Sequence, residues 1–168
     1  MITDMNFKAG DSVVYPSHGV GKIVDTELQT IGGIEMQFYV IHFEKEKMSL
    51  RIPVRKARKS GLRSLSTDNE VEKVLEVLRS RPKTSKGMWS RRANEYELKI
   101  NSGALSLIAE VVRDLYKNVD DPDRSYSERL IYESALNRLS SEFAALNQIE
   151  HTVAISQIID VIREKQVA

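Results

Sequence analysis

The first 65 residues alternate short β-rich runs with Gly and Pro, a pattern typical of strands joined by tight turns. Pro16–Gly19 predicts the first turn, and Ile31–Gly33 predicts a hairpin. Residues 36–43 carry apolar side chains on both faces of an extended chain, which favours a central strand. The predicted strands are residues 13–15, 20–28, 36–43, 48–52 and 62–65. Five short strands in this length predict a Tudor-like or SH3-like β barrel.

From residue 66 the apolar spacing changes to the 3.6-residue period of α-helices. Ser66, Thr67 or Asp68 is a candidate N-cap for the first helix, and Ser85 is one for the second. Ser125–Glu128 matches a capping box at the start of a long fourth helix. The positions predicted to face a shared core are Val71, Val74, Leu75, Leu78, Ala93, Tyr96, Ile100, Leu105, Ile108, Val112, Leu115, Tyr116, Leu130, Leu136, Leu139, Phe143, Leu146, Ile155, Ile158, Ile159 and Ile162.

These patterns predict an α+β protein of two domains. Residues 1–65 form a five-stranded Tudor/SH3-like β barrel, and residues 66–168 form a compact all-helical domain of about five helices. The chain contains no cysteine, which excludes disulfides, thiolate zinc sites and cysteine nucleophiles. It shows no signal-peptide pattern and no apolar run of about 18 residues, so we expect a cytoplasmic protein without a membrane span.

The charge is unevenly distributed, although the formal net charge is only +1. Residues 51–63 contain six basic side chains and no acidic one. Residues 79–92 also contain six basic side chains and no acidic one. Residues 93–168 contain eight basic and thirteen acidic side chains, a net charge of −5. A single basic run is often only a solvated surface, but two acid-free runs favour an anionic partner.

The residues needed for catalysis do not converge in this sequence. His18, His42 and His151 fall in a turn, a strand and a helix start, without the spacing of metal ligands. Gly19–Lys22 lacks the spacing of a phosphate-binding loop and leads from a turn into a strand. The sequence therefore predicts a binding protein rather than an enzyme, with no cofactor and no metal.

Trp89, the only tryptophan, is predicted in the first turn of the second helix. A large indole is usually a core residue, but Ala93, Tyr96 and Ile100 can fill the apolar stripe of that helix without it. An exposed aromatic residue with a basic rim is typical of proteins that stack on bases or wedge between them. The candidate DNA-binding residues are Lys83, Lys86, Met88, Trp89, Arg91 and Arg92.

Four stretches in this order resemble the CarD/CdnL family of bacterial transcription regulators. They are FKAGDSVVYPSHGVGKI at 7–23, LRIPV at 50–54, MWSRR at 88–92 and LIAEVVRDLY at 107–116. The resemblance covers almost the whole chain, whose length is nearest to the CdnL type. The first part is also similar to the polymerase-interacting module of transcription-repair coupling factors.

The resemblance implies that the barrel binds the β subunit of RNA polymerase through a sheet edge and nearby side chains. The helical domain would reach promoter DNA at the upstream edge of the melted region, where Trp89 would wedge into the minor groove and stabilise the open complex. Some relatives carry a cation at the positions of Gln29 and Asn94, and this chain does not. The implied polymerase-binding residues are Thr30, Arg51, Ile52 and Pro53.

Three alternatives stay open at the level of sequence. The barrel could belong to a protein-interaction adaptor that has no direct role on DNA. A monomer is expected, but a free edge strand would also permit a domain-swapped dimer. The C-terminal residues 165–168, KQVA, fit either a frayed end or a degradation signal.

Overall fold

The computed structural model describes residues 6–83 and 87–167, with side chains as far as Glu164. The chain divides into two compact units, Met1–Leu65 and Ser66–Ala168. A five-stranded sheet forms the first unit and five helices form the second, so the predicted α+β layout is confirmed. None of the described helices is long and apolar enough to cross a membrane.

The strands of the first unit form one antiparallel sheet in the order β4-β3-β2-β1-β5, with the topology of a Tudor-like barrel. All of them except β5 are longer than predicted, and the two that gain most, β2 and β3, form an extended hairpin that turns at Gly32 and Gly33. Both glycines have positive φ, the conformation that a tight hairpin turn requires. The strands are β1 (Ser12–Tyr15), β2 (Gly19–Ile31), β3 (Ile34–Phe43), β4 (Met48–Pro53) and β5 (Arg63–Ser64), and a short 3-10 helix (Val54–Lys56) follows β4.

The barrel core lies on one face of β3, which pairs with β2 on one side and β4 on the other. Residues 38–41 of β3 are all buried, as expected for a central strand whose two faces are covered. Gly21 on β2 is needed here, because a Cβ atom at this position would lie 2.7 Å from side-chain atoms of Ile41 and Phe43. The core residues are Val13, Ile23, Tyr39, Ile41, Phe43, Ile52, Ala57 and Leu62.

The second unit contains α1 (Asp68–Arg79), α2 (Trp89–Asn101), α3 (Leu105–Tyr116), α4 (Tyr126–Asn147) and α5 (His151–Val167). The most deeply buried of these helices is α3, in which nine of the twelve residues are buried. All predicted apolar positions on α3 lie in the core, together with those at 74, 78, 96 and 100 on α1 and α2. The 3.6-residue spacing therefore identified most of the buried positions. On α4 the prediction is wrong at Leu130, which is 48% exposed while its neighbour Ile131 is in the core, and Leu146 lies outside the core cluster.

Local sequence determines how two of the helices begin. Thr67 forms a complete capping box with Glu70 at the start of α1. Ser125 caps α4 by accepting a hydrogen bond from the backbone N–H of Glu128 at 3.0 Å. The carboxylate of Glu128 accepts a hydrogen bond from Asn118 Nδ2 at 3.3 Å. Ser125 is therefore confirmed as an N-cap, but only this half of the predicted capping box forms, since the Glu128 carboxylate binds Asn118 instead.

The start of α2 differs from the prediction. Ser85 was the expected N-cap, but α2 begins at Trp89 with Met88 in the N-cap position, so this prediction is wrong. No side chain among the described residues caps the helix, and Ser85 itself lies outside them. Because of the later start, Trp89 is the first residue of α2. The position of its ring is set by contacts with other elements of the helical unit, described below.

Candidate functional site

The connection between α1 and α2 is tied to α3 before it reaches Trp89. Arg113 Nη1 donates a hydrogen bond to Ser80 Oγ at 2.8 Å, and Asp114 Oδ1 accepts one from the backbone N–H of Lys83 at 2.9 Å. Arg113 and Asp114 also pair with each other at 2.8 Å, and both are buried. Buried charges need partners, so this pair holds residues 80–83 firmly against α3. Lys83 as a residue remains exposed.

Trp89 is half-buried and packs against the helical core. Its indole Nε1 donates a hydrogen bond to Ser127 Oγ on α4 at 3.2 Å. The ring of Tyr96 lies 6.2 Å away in a tilted arrangement, and the guanidinium carbon of Arg92 lies 5.4 Å from the centre of the indole. These three contacts fix the direction of a side chain that stays partly accessible.

The two arginines that follow Trp89 differ in their surroundings. The side chain of Arg91 is 78% exposed and its Nε lies 3.6 Å from Glu95, one helical turn away. Arg92 is turned towards the aromatic rings, where its Nη2 donates a hydrogen bond to the hydroxyl of Tyr96 at 3.4 Å. Its Nε is buried and has no hydrogen-bond partner among the described residues. Arg91 is therefore the more accessible cation for a phosphate, and Arg92 is the cation that packs on the indole.

The other candidates for DNA binding lie on either side of this point. Met88, immediately before α2, is 76% exposed. Lys83 is exposed at the end of the segment that α3 holds in place. Lys86 lies outside the described residues. The structure thus brings Met88, Trp89, Arg91 and Arg92 together at the start of α2, with Lys83 a few residues before them.

Sequence reasoning missed the contribution of α4 to this site. The hydrogen bond from Trp89 to Ser127 brings the start of α4 against the start of α2. Two exposed side chains accompany Ser127, namely Tyr126 and Arg129, whose Nε lies 3.1 Å from Glu133 Oε1. The capping signal at Ser125 predicted the helix start correctly, but no local signal shows which part of the chain it contacts.

The candidate polymerase-binding edge is β4, which among the described strands pairs on one side only, with β3. Arg51 lies in this strand, and its Nε donates a hydrogen bond to Glu27 Oε1 on β2 at 2.8 Å. The hydrogen bond from Arg51 lowers the pKa of Glu27, and the same contact raises the pKa of Arg51. Arg51 is therefore half of an ion pair on the outer face of the sheet, while its side chain remains 53% exposed.

The other three predicted polymerase-binding residues are placed differently. Ile52 is buried in the barrel core, so only its backbone is available at the edge. Pro53 is half-buried and pairs with Phe38, whereas Thr30 is exposed and pairs with Glu35. Those two partners are three residues apart on β3, about 10 Å along the strand. Arg51 and Pro53 therefore form one cluster, and Thr30 lies towards the hairpin tip.

The histidines do not form a metal site within the part of the chain that the structure describes. No group of three or more potential ligands occurs there. His18 Nδ1 lies 3.0 Å from Glu46, and His42 Nε2 lies 3.3 Å from Glu44. His151 Nε2 lies 3.3 Å from the side-chain oxygen of Asn137. Each ring thus lies beside an acid or an amide of a neighbouring residue.

Comparison with known proteins decides the family. The family model described as "CarD, C-terminal domain" matches residues 73–160, and the one described as "CarD-like/TRCF RID domain" matches residues 7–66. The chain belongs to the CarD family of transcription regulators. The two matches cover both units of this CarD-family protein and confirm the resemblance drawn from its sequence.

Two individual proteins are similar to this CarD-family member. The first is "Putative transcription factor YdeB" of Bacillus subtilis (strain 168), which is 28% identical over 143 residues, or 85% of this chain and 94% of the relative. The second is the solution NMR structure of the 72-residue N-terminal domain of Myxococcus xanthus CarD. It is 24% identical, with a TM-score of 0.32, and covers 38% of this chain and 84% of that one.

Proposed function

We propose that this CarD-family protein binds the β subunit of RNA polymerase through its barrel and stabilises the open promoter complex by inserting Trp89 at the upstream edge of the melted DNA. The observation that carries the proposal is the half-buried indole, held by three contacts beside exposed cations at the start of α2. The match of residues 7–66 to the CarD-like/TRCF RID model supports the role of the barrel.

The wedge requires an aromatic ring that is already in position. Unstacking one base step costs about a few kcal/mol, and a side chain offsets this cost most easily where the duplex is already open. The contacts of Trp89 with Ser127, Tyr96 and Arg92 restrict the ring before DNA binds. A restricted side chain loses less conformational entropy on binding, so more of its contact energy stabilises the complex.

The small number of cations near Trp89 supports weak binding by the protein alone. Each phosphate contact gives only a modest gain, and log K falls by about 0.9 per contact for each unit of log salt. Attachment to polymerase would make the DNA contact intramolecular, at an effective concentration on the order of millimolar. Because the wedge fits melted DNA better than closed duplex, binding would shift the equilibrium towards the open complex.

The edge strand β4 suits the proposed contact with polymerase. No other strand of the described sheet pairs with its outer side, so its backbone groups can pair with a strand of a partner. Arg51 and Pro53 lie along this edge, and the backbone of Ile52 lies between them. The contact would therefore combine backbone pairing with one charged side chain.

Selectivity would come from the melting of the promoter rather than from reading its sequence. The candidate residues include no group of side chains arranged to hydrogen-bond to base edges. The promoters that melt most easily would therefore be stabilised most by the protein. The protein would act as a monomer in the bacterial cytoplasm, held on the nucleoid by polymerase. Its activity would be regulatory and not catalytic.

One observation favours a second function, that of a protein-interaction adaptor. The β2–β3 hairpin exposes Leu28, Ile31 and Ile34, three apolar side chains near its tip. Exposed apolar clusters mark surfaces that bind other proteins. In the adaptor the barrel would bind its partner and Trp89 would have no role on DNA.

The decisive experiment measures the lifetime of open promoter complexes with wild-type protein and with Trp89→Ala, after addition of a competitor that traps free polymerase. We expect the variant to shorten the lifetime by roughly tenfold, which corresponds to about 1.4 kcal/mol. The affinity for polymerase without DNA should not change. Leu98→Ala, which truncates an exposed residue of the same helix, is the matched control.

A folded Trp89→Ala variant with an unchanged lifetime would contradict the wedge and favour the adaptor. Circular dichroism establishes whether the variant is folded. If it unfolds, Trp89→Leu provides the test, because it keeps apolar packing against the helical core but removes the flat aromatic ring that would form the wedge. A lifetime equal to that of wild type would then also contradict the proposal.

A further inference from the structure

We propose that Tyr126 provides a second aromatic surface, which stacks on an unpaired base of the melted promoter next to the site of Trp89. This inference rests on the proposed function and extends it from one ring to two. It assigns to the start of α4 a direct contact with single-stranded DNA. The partner is thus the flat face of an extruded base, not the phosphate backbone.

The position of Tyr126 follows from the hydrogen bond between α2 and α4. Trp89 Nε1 lies 3.2 Å from Ser127 Oγ, and Tyr126 is the residue immediately before Ser127. Successive Cα atoms are about 3.8 Å apart, so the phenol ring starts one residue from the hydroxyl that holds the indole. Both rings therefore project from adjoining helix starts.

The exposure of Tyr126 requires an explanation. Its relative exposure is 72%, although aromatic rings bury large apolar areas when they contribute to a core. Met88, the residue immediately before Trp89, is 76% exposed. We call Met88, Trp89 and Tyr126 the helix-start surface, since all three lie at the starts of α2 and α4. Trp89 packs against the helical core, and the other two side chains are exposed.

The charges around this surface select the part of DNA that it can accept. Three acidic residues, Asp120, Asp121 and Asp123, lie in the connection that leads into α4, and all are exposed. They outnumber the two cations of this connection, Lys117 and Arg124, and Arg129 in the first turn of α4 pairs with Glu133. Phosphate is therefore disfavoured near Tyr126, whereas the exposed Arg91 on α2 attracts it. A strand that crosses the surface would therefore place its backbone towards α2 and an uncharged base over Tyr126. Base–aromatic stacking needs no particular base, since every base has a π-face.

The test uses the full-length protein bound to polymerase, with two DNA probes: a promoter fork with unpaired bases at its upstream edge and the matching full duplex. We expect Tyr126→Ala to weaken binding to the fork by about fivefold and to leave duplex binding unchanged. Tyr126→Phe should bind like wild type, because it keeps the ring. The matched control is Leu98→Ala, since Leu98 has the same 72% exposure on α2.

Salt dependence separates base stacking from phosphate contact. Tyr126→Ala should leave the slope of log K against log salt unchanged, because no phosphate contact is lost. Arg91→Ala should reduce the slope by about 0.7 to 0.9, the value of one phosphate contact. Alanine is well tolerated at an exposed helical position, and thermal unfolding checks that the variants are folded.

The outcomes distinguish failure of this inference from failure of the proposed function. If Trp89→Ala weakens fork binding and Tyr126→Ala does not, the inference is wrong and the proposed function stands. If neither variant weakens it, both fail. Three further results would overturn the inference alone. The first is fork binding by Tyr126→Phe that is as weak as that by Tyr126→Ala, and the second is a changed slope of log K against log salt for Tyr126→Ala. The third is a loss of polymerase affinity by Tyr126→Ala in the absence of DNA, which would indicate that Tyr126 contacts protein.

Discussion

The carboxylate of Glu142 accepts two hydrogen bonds from Ser66, one from its backbone N–H at 2.8 Å and one from its hydroxyl at 2.6 Å. Both residues are buried, with relative exposures of 2% and 6%. Ser66 is the first residue of the helical unit, and Glu142 lies in the second half of α4. The pair therefore anchors the chain where the helical unit begins, one residue before the capping box of α1.

We predict that Glu142→Ala lowers the free energy of unfolding of the helical unit by about 2–4 kcal/mol. The substitution leaves two buried donors of Ser66 without an acceptor, and each unsatisfied donor costs about 1–3 kcal/mol. Urea unfolding followed by circular dichroism measures the effect. Glu133→Ala is the control, since the ion pair of Glu133 with Arg129 lies on the surface and should contribute little. An unchanged unfolding midpoint for Glu142→Ala would contradict the anchor.

We predict that Asp114→Ala destabilises the helical unit by about 3–5 kcal/mol, because it leaves the buried guanidinium of Arg113 without its counter-charge. The backbone N–H of Lys83 also loses its acceptor, so residues 80–83 should exchange amide protons faster. Denaturant titration and hydrogen exchange measure the two effects. Asp123→Ala, at an exposed position, should change neither. A loss below about 1 kcal/mol would show that the pair is dispensable.

We predict that Arg51→Glu weakens binding to the polymerase β subunit by about tenfold or more, since it reverses a charge on the proposed edge and places it opposite Glu27. The unfolding of the helical half should not change. A binding titration with the isolated β subunit measures the affinity. Arg55→Glu, in the 3-10 helix after β4, reverses an exposed charge outside this edge and serves as the control. Equal affinities for wild type and Arg51→Glu would remove Arg51 from the interface.

We predict that Arg51→Ala raises the pKa of Glu27 towards the ordinary carboxyl range, because the hydrogen bond from Arg51 is the main cause of its lowered pKa. A lowered pKa in the folded chain means that the pair stabilises the fold above the unfolded pKa and that this contribution disappears as the pH falls through the folded pKa. The effect on stability should be small because both side chains are partly exposed. Carboxyl NMR titration of Glu27 gives the pKa, and an identical value in the variant would refute the coupling.

Much of the fold follows from local sequence. Gly and Pro mark the strand ends, and the 3.6-residue spacing identifies the buried faces of the helices. Thr67 and Ser125 act as N-caps because a side-chain oxygen and a backbone N–H a few residues away satisfy each other without help from the rest of the protein. Such short-range chemistry can be recognised in a single sequence.

The site depends on contacts that local patterns do not contain. Trp89 and Ser127 are 38 residues apart, and Arg51 and Glu27 are 24 apart. Ser85 matched the N-cap rule, yet the N-cap position of α2 is Met88, three residues later, where Trp89 can pack against the core and bind Ser127. Long-range packing overrode the local preference at this helix start. Tyr126 was missed for the same reason, because only the fold brings it next to the tryptophan.

The guanidinium of Arg92 covers one face of the indole of Trp89. An aromatic ring with two equivalent faces could enter a DNA groove in either of two orientations. A ring with a cation on one face would contact the two DNA strands differently. Insertion would therefore have a polarity. The protein would then distinguish the orientation of a promoter without recognising its base sequence.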